Sequence, residues 1–429
     1  MLDDIGLSRF ACEYTEKVQS PVPLKILFAI NIPFPEGRAN TRRIRSIARE
    51  LAFQRHQVTI LLPFARKPQS QHQLFEGINV KWCLVPLTDT LFLNSNHRVK
   101  LTVQIISRCR WLKELWKKSK QNEYDWLYLY QPGIDGWLAA LIARYFGRRI
   151  CSEYVDLLTS SGYSSLIWRG IYWLQLFADR KVPLISDLLL VISSMLEGIY
   201  HQRNPRIPLL VLPTLVDTSR FGSGDRHRFR QKLNVGENPV VTFTGSFVPT
   251  EGLQVLFEAM RTIIVKYPKV TLVIAGGSLV SGSDDVEKLI KQFGLVTNAR
   301  YLGLISEEDV IHLQSASDIL VMPKLDNPVN RAGLATKLAE YLASGKAVIA
   351  SNIGDVGKYL IHGQDALLVP PGDRSALEQA LIRLLEEPEL CRELGANARQ
   401  VAIRYFDVRI NVKRLINALN CSDPIMCPK

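Results

Sequence analysis

The sequence lacks long apolar runs and low-complexity tracts over its 429 residues. No stretch reaches the roughly 18 consecutive apolar residues that a transmembrane helix needs, so we expect no membrane-spanning segment. The first two dozen residues do not combine a basic start with an apolar run, so no secretory signal is predicted. With 47% hydrophobic and 22% charged residues, the composition is globular and excludes a disordered, collagenous or coiled-coil chain.

Cysteines in pairs and clustered metal ligands are also missing. The seven cysteines are an odd number and form no CxxC pair, so neither a disulfide framework nor a zinc site is predicted. No DxD triplet is present to hold a metal-bound diphosphate. We therefore expect reduced thiols, a cytoplasmic location, no metal and no cofactor.

Acidic residues are in deficit, which gives a net charge of +12 from 53 basic and 41 acidic residues. Such an excess favours anionic partners such as phosphorylated ligands, anionic lipid or nucleic acid. The basic residues concentrate in two runs of the first half, from Arg38 to Arg55 and from Arg98 to Lys120. Solvated helix faces explain these runs equally well. No nucleic-acid recognition motif is visible, so nucleic acid is not a predicted partner.

Short apolar strands alternate with amphipathic helices along the whole chain. The first half opens with strand Lys25–Asn31, a helix through Ile44–Ala52 and strand Gln57–Leu62, which is typical of a parallel sheet. The pattern resets near 213–225, and strand Val240–Thr244 begins a regular alternation. The predicted fold is α/β, with two doubly wound Rossmann-like domains facing a central cleft. The predicted segments are an extension (1–23), a first domain (24–215), a second domain (216–405) and a C-terminal helix and tail (406–429) that packs back on the first domain.

Three segments of the second half follow predicted strands, where parallel sheets bind ligands. The first contains Gly245 and Ser246, and the last is the turn around Gly354. Between them, the predicted loop Lys324–Leu334 contains Arg331 and leads into a helix that carries Thr336, Lys337 and Glu340. The free N–H groups at a helix start favour a phosphate, and a lysine in that first turn suits a bound anion. Each of these loops also fits an ordinary strand-to-helix turn, and Lys337 and Glu340 fit an exposed ion pair.

At these residues the sequence resembles a known family. The stretches TGSF, TKLAEYLASGKAVIASNIG and HGQDALLVPPGD resemble the second domain of the family 4 retaining glycosyltransferases, which have the GT-B fold. The stretch PTLVDTSRF resembles their interdomain segment, and FPEGRANTRRI resembles their first acceptor-side loop. The likeness covers most of residues 24–420.

The resemblance implies a nucleotide-sugar donor in the second domain, an acceptor in the first, retention of anomeric configuration and no required metal. Gly245 matches the diphosphate-loop glycine, and Glu340 matches the glutamate that holds the donor ribose. Three acceptor-side residues match the first loop and its helix: Gly37, Asn40 and Arg43.

The sequence departs from the family pattern at three positions. Ser246 and Glu251 stand where the family often has an Arg and a Lys, and Ala332 stands where it has the first glutamate of its E-x7-E pair. Arg331 and Lys337 are the residues expected to supply the missing positive charge, since Arg and Lys both bind phosphate. The predicted donor site is therefore Gly245, Ser246, Arg331, Thr336, Lys337, Glu340 and Gly354.

No general base is evident in the first domain. Glu153, at the end of strand Arg149–Glu153, is the carboxylate that we single out as a catalytic candidate, and Asp156 is the weaker one. A surface residue at the end of a strand is as good an interpretation of Glu153. In retaining enzymes of this fold the leaving phosphate is thought to deprotonate the acceptor, so the resemblance does not require a side-chain base.

The leading hypothesis is a glycosyltransferase of polysaccharide or glycoconjugate synthesis, acting on a glycan, a lipid-linked or a small-molecule acceptor. The alternatives are a non-catalytic binding or regulatory subunit, an epimerase or phosphorylase of the same architecture, and a nucleic-acid-binding protein. Residues Leu101–Lys118 interleave apolar and basic side chains, including Trp111 and Trp116. This pattern is typical of a helix at an anionic membrane surface, here the inner face of the plasma membrane, and equally of a helix packed on a sheet.

Overall fold

The structure, a computed structural model, describes residues 23–37, 39–64, 72–83, 97–158, 166–277 and 283–421. In these residues two separate sheets form, one in each half of the chain, and helices cover both. This confirms the predicted pair of doubly wound α/β domains.

The first domain contains an eight-stranded sheet in the order β3-β4-β2-β1-β5-β6-β7-β8, and only β3 runs antiparallel to its neighbour. Its strands are Lys25–Ala29 (β1), Gln57–Leu62 (β2), His72–Phe75 (β3), Ile78–Trp82 (β4), Trp126–Tyr130 (β5), Arg149–Tyr154 (β6), Leu188–Val191 (β7) and Leu209–Val211 (β8). Its helices are Ala39–Phe53 (α1), His97–Lys120 (α2), Ile134–Tyr145 (α3), Leu166–Ile185 (α4) and Ser194–Arg203 (α5).

The second domain contains a six-stranded parallel sheet in the order β11-β10-β9-β12-β13-β14. Its strands are Val240–Gly245 (β9), Thr271–Gly276 (β10), Ala299–Tyr301 (β11), Ile319–Met322 (β12), Ala347–Ser351 (β13) and Leu367–Val369 (β14). Its helices are Arg226–Leu233 (α6), Leu253–Lys266 (α7), Ser283–Gln292 (α8), Glu307–Ala316 (α9), Pro328–Ala332 (α10), Thr336–Ala343 (α11), Val356–Tyr359 (α12), Arg374–Glu386 (α13), Pro388–Val401 (α14) and Val408–Asn420 (α15).

The central strands are short and apolar because helices bury both of their faces. Every residue of β5, with the sequence WLYLY, is buried, and so is every residue of β7. Parallel strands covered on both sides read as continuous apolar runs, and the sequence has this pattern. Helix α1 covers one face of the first sheet through Ile44, Ile47 and Leu51.

The two domains are joined along the end of the molecule that holds the interdomain segment. Val216 pairs with the chain before α15: its N–H donates to Phe406 O (2.9 Å), and Val408 N–H donates to Val216 O (3.0 Å). Helix α15 then lies against α1 of the first domain. One cluster of buried apolar residues runs from the first sheet through this junction to α11. The junction therefore fixes α1 and α11 on opposite sides of the cleft.

Two regions differ from the sequence-based predictions. The predicted loop Lys324–Leu334 contains the short helix α10, because Asn327 caps it by accepting from the Asn330 N–H (3.0 Å) and Pro328 occupies its first position. The charged stretch before the second sheet forms helix α6, which Asp225 caps in the same way. Within the described residues, no helix combines the length and apolarity that crossing a bilayer requires.

Candidate functional site

Two glycines form the floor of the site at the carboxyl ends of β9 and β10. Gly245 and Gly276 are register partners, with φ angles of 146° and 138° that favour glycine. A Cβ atom on Gly276 would lie 1.8 Å from Gly245 O, and one on Gly245 would lie 2.4 Å from Lys337 Nζ. A Cβ atom is therefore disfavoured at both positions, and Lys337 Nζ lies directly against the backbone of Gly245. Ser246 follows, half-buried, in the turn after β9.

Two lysines and one glutamate form a nearly buried cluster beside Gly245. Glu251 accepts from Lys324 Nζ at 2.7 Å through one oxygen and from Lys337 Nζ at 2.6 Å through the other. Lys324 also donates to Asn330 Oδ1 (2.9 Å), and Lys337 Nζ lies 4.2 Å from the centroid of the Phe243 ring. The side chains of Lys337 and Glu251 are each 11% exposed. The cluster holds one net positive charge where an anion would meet the strand ends.

Burial and charge pairing shift the pKa values of Glu251 and Lys337 in opposite directions. Burial favours the neutral acid, but the two lysines outweigh it and hold the pKa of Glu251 at about 2. Burial lowers the pKa of Lys337, and Glu251 opposes part of that decrease. The carboxylate therefore stays ionised, and it keeps two ammonium groups next to each other.

Helix α11 carries the other predicted donor residues into the same site. Tyr341 fixes this helix to β9, because its hydroxyl accepts from the Thr244 N–H at 2.7 Å. Thr336 is the first residue of the helix, and Ala335 before it provides no side-chain cap. Of the N–H groups in the first turn, that of Leu338 donates to Ala335 O (3.0 Å), so those of Thr336 and Lys337 are the candidates to bind an anion. Glu340 lies one turn further along, and its pKa is raised by burial.

Glu340 pairs with a residue of the first domain. Arg42 Nη2 lies 3.2 Å from Glu340 Oε1, and the two side chains are 29% and 10% exposed. A second contact across the cleft joins Arg45 of α1 to Glu307 of α9, which Arg220 also binds at 2.9 Å. Basic residues of α1 therefore face carboxylates of the second domain.

The structure does not bring Arg331 to the lysine cluster. Its exposed guanidinium binds Asp326 through two hydrogen bonds of 2.5 and 2.6 Å, and this pair holds the pKa of Asp326 below its usual value. In this arrangement Arg331 is paired with Asp326, and its binding of a phosphate beside Lys337 stays a prediction. Gly354, with φ of 57°, packs against helix α10. A Cβ on Gly354 would lie 2.6 Å from Arg331 O. This glycine is explained by packing, and its role in donor binding stays a prediction.

The position of the missing first glutamate is closed. Ala332 is completely buried, and its carbonyl accepts from Ser193 Oγ of the first domain. Nearby, Asp355 of the second domain accepts from the Ser194 N–H at 2.7 Å. A small apolar residue therefore fits this position because the two domains meet there.

Two first-domain predictions are corrected by one contact. Glu153 is fully buried, accepts from Arg43 Nε (2.7 Å) through one oxygen and from the Tyr128 hydroxyl (2.6 Å) through the other. Arg43 also donates to Pro213 O (2.6 Å) and Leu212 O (2.8 Å). Glu153 is therefore not a catalytic base, and Arg43 is not an acceptor ligand. The pair joins α1, β6 and the interdomain segment inside the core.

The acceptor-side loop keeps two of its predicted residues accessible. Gly37 precedes α1 so closely that a Cβ would lie 2.1 Å from Thr41 Oγ1, and Asn40 is exposed in the first turn of the helix. Asp156 lies two residues beyond β6, where desolvation raises its pKa and Lys324 of the second domain partly opposes the rise. Acceptor binding by Gly37 and Asn40 stays a prediction, and so does a catalytic role of Asp156.

Sequence reasoning did not predict the ion pairs that Lys324, Glu251 and Arg42 form at the candidate site. Lys324 lies two residues beyond the strand Ile319–Met322, which is a detectable signal, since polar residues after parallel strands line the ligand edge. Glu251 was visible only as the residue standing in place of a lysine. The pairing of Arg42 had no local signal, because its partner is 298 positions away. Among the described residues no group of three His, Cys, Asp or Glu side chains could hold a metal ion.

Comparisons with known proteins agree with this geometry. Residues 225–401 match the family described as glycosyl transferases group 1. A GDP-mannose-dependent alpha-(1-6)-phosphatidylinositol monomannoside mannosyltransferase of Mycolicibacterium smegmatis is 25% identical over 248 residues, which are 57% of this chain and 64% of that protein. A D-inositol 3-phosphate glycosyltransferase of Rhodococcus jostii is 29% identical over 188 residues. The chain spans 40–64% of the length of the first curated relatives that it matches.

Solved structures extend the likeness to nearly the whole chain. Anabaena HepE in complex with UDP has a TM-score of 0.68 and 19% identity, covering 92% of this chain and 99% of that one. Sucrose-phosphate synthase from Thermosynechococcus elongatus has a TM-score of 0.70 at 19% identity, covering 93% and 100%. These likenesses confirm the GT-B fold. The chain therefore has the GT-B fold, and its second domain carries the sequence pattern of the group 1 glycosyl transferases.

Proposed function

We propose that this protein is a retaining, metal-independent glycosyltransferase of family 4 that uses a nucleotide-diphosphate sugar. The observation that carries the proposal is the convergence of the Gly245–Gly276 floor, Lys337 and Glu340 at one strand edge. The proposed acceptor is a glycan, a lipid-linked or a small molecule, and the proposed context is polysaccharide or glycoconjugate synthesis in the cytoplasm. Relatives that bind UDP or depend on GDP-mannose support the donor class.

In the proposed mechanism the diphosphate lies against Gly245 and the first turn of α11. Lys337 and the free N–H groups of that turn stabilise the charge that develops on the leaving phosphate. Glu340 accepts hydrogen bonds from the ribose hydroxyls and fixes the nucleoside. The acceptor hydroxyl approaches from the side of Gly37 and Asn40, and the leaving phosphate takes its proton. This arrangement needs no cofactor, and the nucleotide sugar is a co-substrate.

The alternative is a non-catalytic paralogue that retained the fold, for which the buried Ala332 is the relevant observation. Such a protein binds a nucleotide without transferring or hydrolysing the sugar. Slow donor hydrolysis in the presence of EDTA is therefore the measurement that separates the two hypotheses.

The first prediction tests the roles of Glu340 and Lys337 by calorimetric titration in EDTA with UDP, GDP and pyrophosphate. Glu340→Gln should weaken the nucleoside diphosphate about tenfold or more, because it impairs the ribose contacts, and it should not weaken pyrophosphate, because it also frees Arg42 from its ion pair. Lys337→Met should weaken both ligands. The control is Glu393→Gln, an exposed carboxylate of α14. Equal affinities in all four proteins would contradict the proposed site.

We also propose that the first domain contacts an anionic membrane surface, through a face formed by α2, α3 and α4. Aromatic rings connect these helices: Trp116 stacks on Tyr145 (5.7 Å between centroids), and Trp137 meets Phe177 edge-on (5.0 Å). Tyr145 is 75% exposed and Trp173 is 63% exposed. Contiguous exposed apolar surface of this kind is typical of an interaction site.

Charge favours a membrane over a protein partner for this three-helix face. Helix α2 has eight Lys and Arg residues and a single acidic residue, Glu114, which pairs with Lys81. Asp179 of α4 pairs with Arg203 (2.7 Å). Helix α2 also packs on the sheet, since its residues Trp111 and Leu115 are buried. The packed side of α2 fits the sheet interpretation, and the exposed side, which combines tryptophan with basic residues, supports the proposed membrane contact.

The second prediction concerns this face. We expect the protein to sediment with vesicles containing phosphatidylglycerol and to remain in solution with phosphatidylcholine vesicles. Lys113→Glu with Lys117→Glu should weaken sedimentation about tenfold or more, since each basic residue near an anionic surface contributes about 1 kcal/mol. Lys269→Glu with Lys291→Glu is the control, because it makes the same charge change on exposed lysines of the second domain. Equal sedimentation with both vesicle types would rule the surface out.

A further inference from the structure

Arg42 is the one side chain on α1 that contacts a predicted donor residue. Its Nη2 atom pairs with Glu340 at 3.2 Å, while its Nε is buried and has no hydrogen-bond partner. The other arginines near this end of the helix are used differently: Arg43 is held by Glu153 and two carbonyls, and Arg45 binds Glu307. Arg42 thus has one N–H group, Nε, without a hydrogen-bond partner, and its ion-pair partner Glu340 is a predicted ligand-binding residue.

Ribose hydroxyls at Glu340 would compete with Arg42 for the carboxylate oxygens. A weakened pair leaves the guanidinium less compensated in a partly closed cleft, which is unfavourable, so a second anion nearby would stabilise it. The donor diphosphate is such an anion, and it arrives with the ribose.

The second domain by itself is short of positive charge for a diphosphate. Ser246 provides no cation, Arg331 is bound to Asp326, and Lys324 and Lys337 share the carboxylate of Glu251. Arg42 pairs with Glu340, which lies on the same helix as Lys337, and Lys337 lies beside Gly245. Arg42 is therefore a further cation that the first domain can bring to a phosphate at Gly245.

We propose that Arg42 exchanges partners when the donor binds: it pairs with Glu340 in the empty site and with the donor diphosphate in the filled site. This inference rests on the proposed function. Every charged group keeps a partner in both states. In the filled site the ribose hydroxyls bind Glu340 and the diphosphate binds Arg42. The planar guanidinium suits phosphate, which it binds through two parallel hydrogen bonds. Since Arg42 belongs to α1, the exchange also makes donor binding hold the two domains together. Arg42 is therefore a donor-binding residue that the first domain supplies across the cleft.

The test is calorimetric titration of wild type, Arg42→Gln and Arg42→Lys with UDP or GDP, whichever binds, and with the matching nucleoside. Arg42→Gln should weaken the nucleoside diphosphate about ten- to a hundredfold. It should leave nucleoside binding unchanged or tighter, because Glu340 loses its competitor. Arg42→Lys should be intermediate, since it keeps the charge without the fork. This split between ligands is a readout that a fold defect would not produce. Arg49→Gln is the matched control, because Arg49 lies on the same helix and is exposed, 3.9 Å from Glu76.

A nucleoside diphosphate that binds Arg42→Gln as well as wild type, or better, would overturn the exchange and leave Arg42 as a competitor for Glu340 only. That failure differs from failure of the proposed function, in which wild type binds neither nucleoside diphosphate and Lys337→Met changes nothing. The latter result would overturn both proposals.

Discussion

Replacing Glu251 by Gln is expected to lower the free energy of unfolding by about 3–5 kcal/mol at neutral pH. The substitution leaves Lys324 and Lys337 next to each other with no counter-charge, in a cluster where Glu251 is only 11% exposed. Urea denaturation measures the change. Glu237→Gln, an exposed carboxylate before β9, serves as the control and should shift stability by no more than about 0.5 kcal/mol.

The pH dependence of this effect has a definite sign. The folded pKa of Glu251 is about 2, below the ordinary value of 4.5. A depressed carboxyl pKa stabilises the fold fully above the unfolded value, and the contribution disappears as pH falls through 4.5 toward 2. The difference between wild type and Glu251→Gln should therefore be constant from pH 7 to about 5 and shrink below that. If the difference in unfolding free energy between wild type and Glu251→Gln stayed constant down to pH 3, the lowered pKa would not belong to Glu251.

Arg43→Met should lower the free energy of unfolding by a similar amount, about 3–5 kcal/mol, because it leaves the fully buried Glu153 without a cation. Two carbonyls of the interdomain segment, those of Leu212 and Pro213, also lose their donor. Arg49→Met on the exposed side of the same helix is the control. The double variant Arg43→Met, Glu153→Met should be more stable than Arg43→Met alone, since the uncompensated charge is gone. If Arg43→Met lowered the free energy of unfolding only as much as Arg49→Met does, the buried Arg43–Glu153 pair would be refuted.

How far the sequence predicts this protein depends on whether the relevant contacts are local. The alternation of short apolar strands such as WLYLY with amphipathic helices predicts parallel sheets, because apolar runs of this length must be buried on both faces. The ligand edge then follows from the strand ends, whereas the order of the strands is known only from the structure. Gly245, Thr336, Lys337 and Glu340 could be placed at one edge on this basis, since each lies directly after a strand or on the first two turns of a helix.

The sequence by itself thus determined the two doubly wound domains, the strand edge that holds the candidate site and the residues that local structure brings there. Only the tertiary structure decided the partner of each charge. Glu153 ends a strand as a catalytic carboxylate would, but Arg43, 110 positions away, locks it in the core. In the sequence Glu251 stands where the family often has a lysine, but in the structure its carboxylate binds two lysines. Arg42 is one of many basic residues in the sequence, but in the structure it pairs with Glu340 across the cleft. The physical reason is that burial and charge pairing depend on residues far apart in the chain, which meet only when both domains have folded.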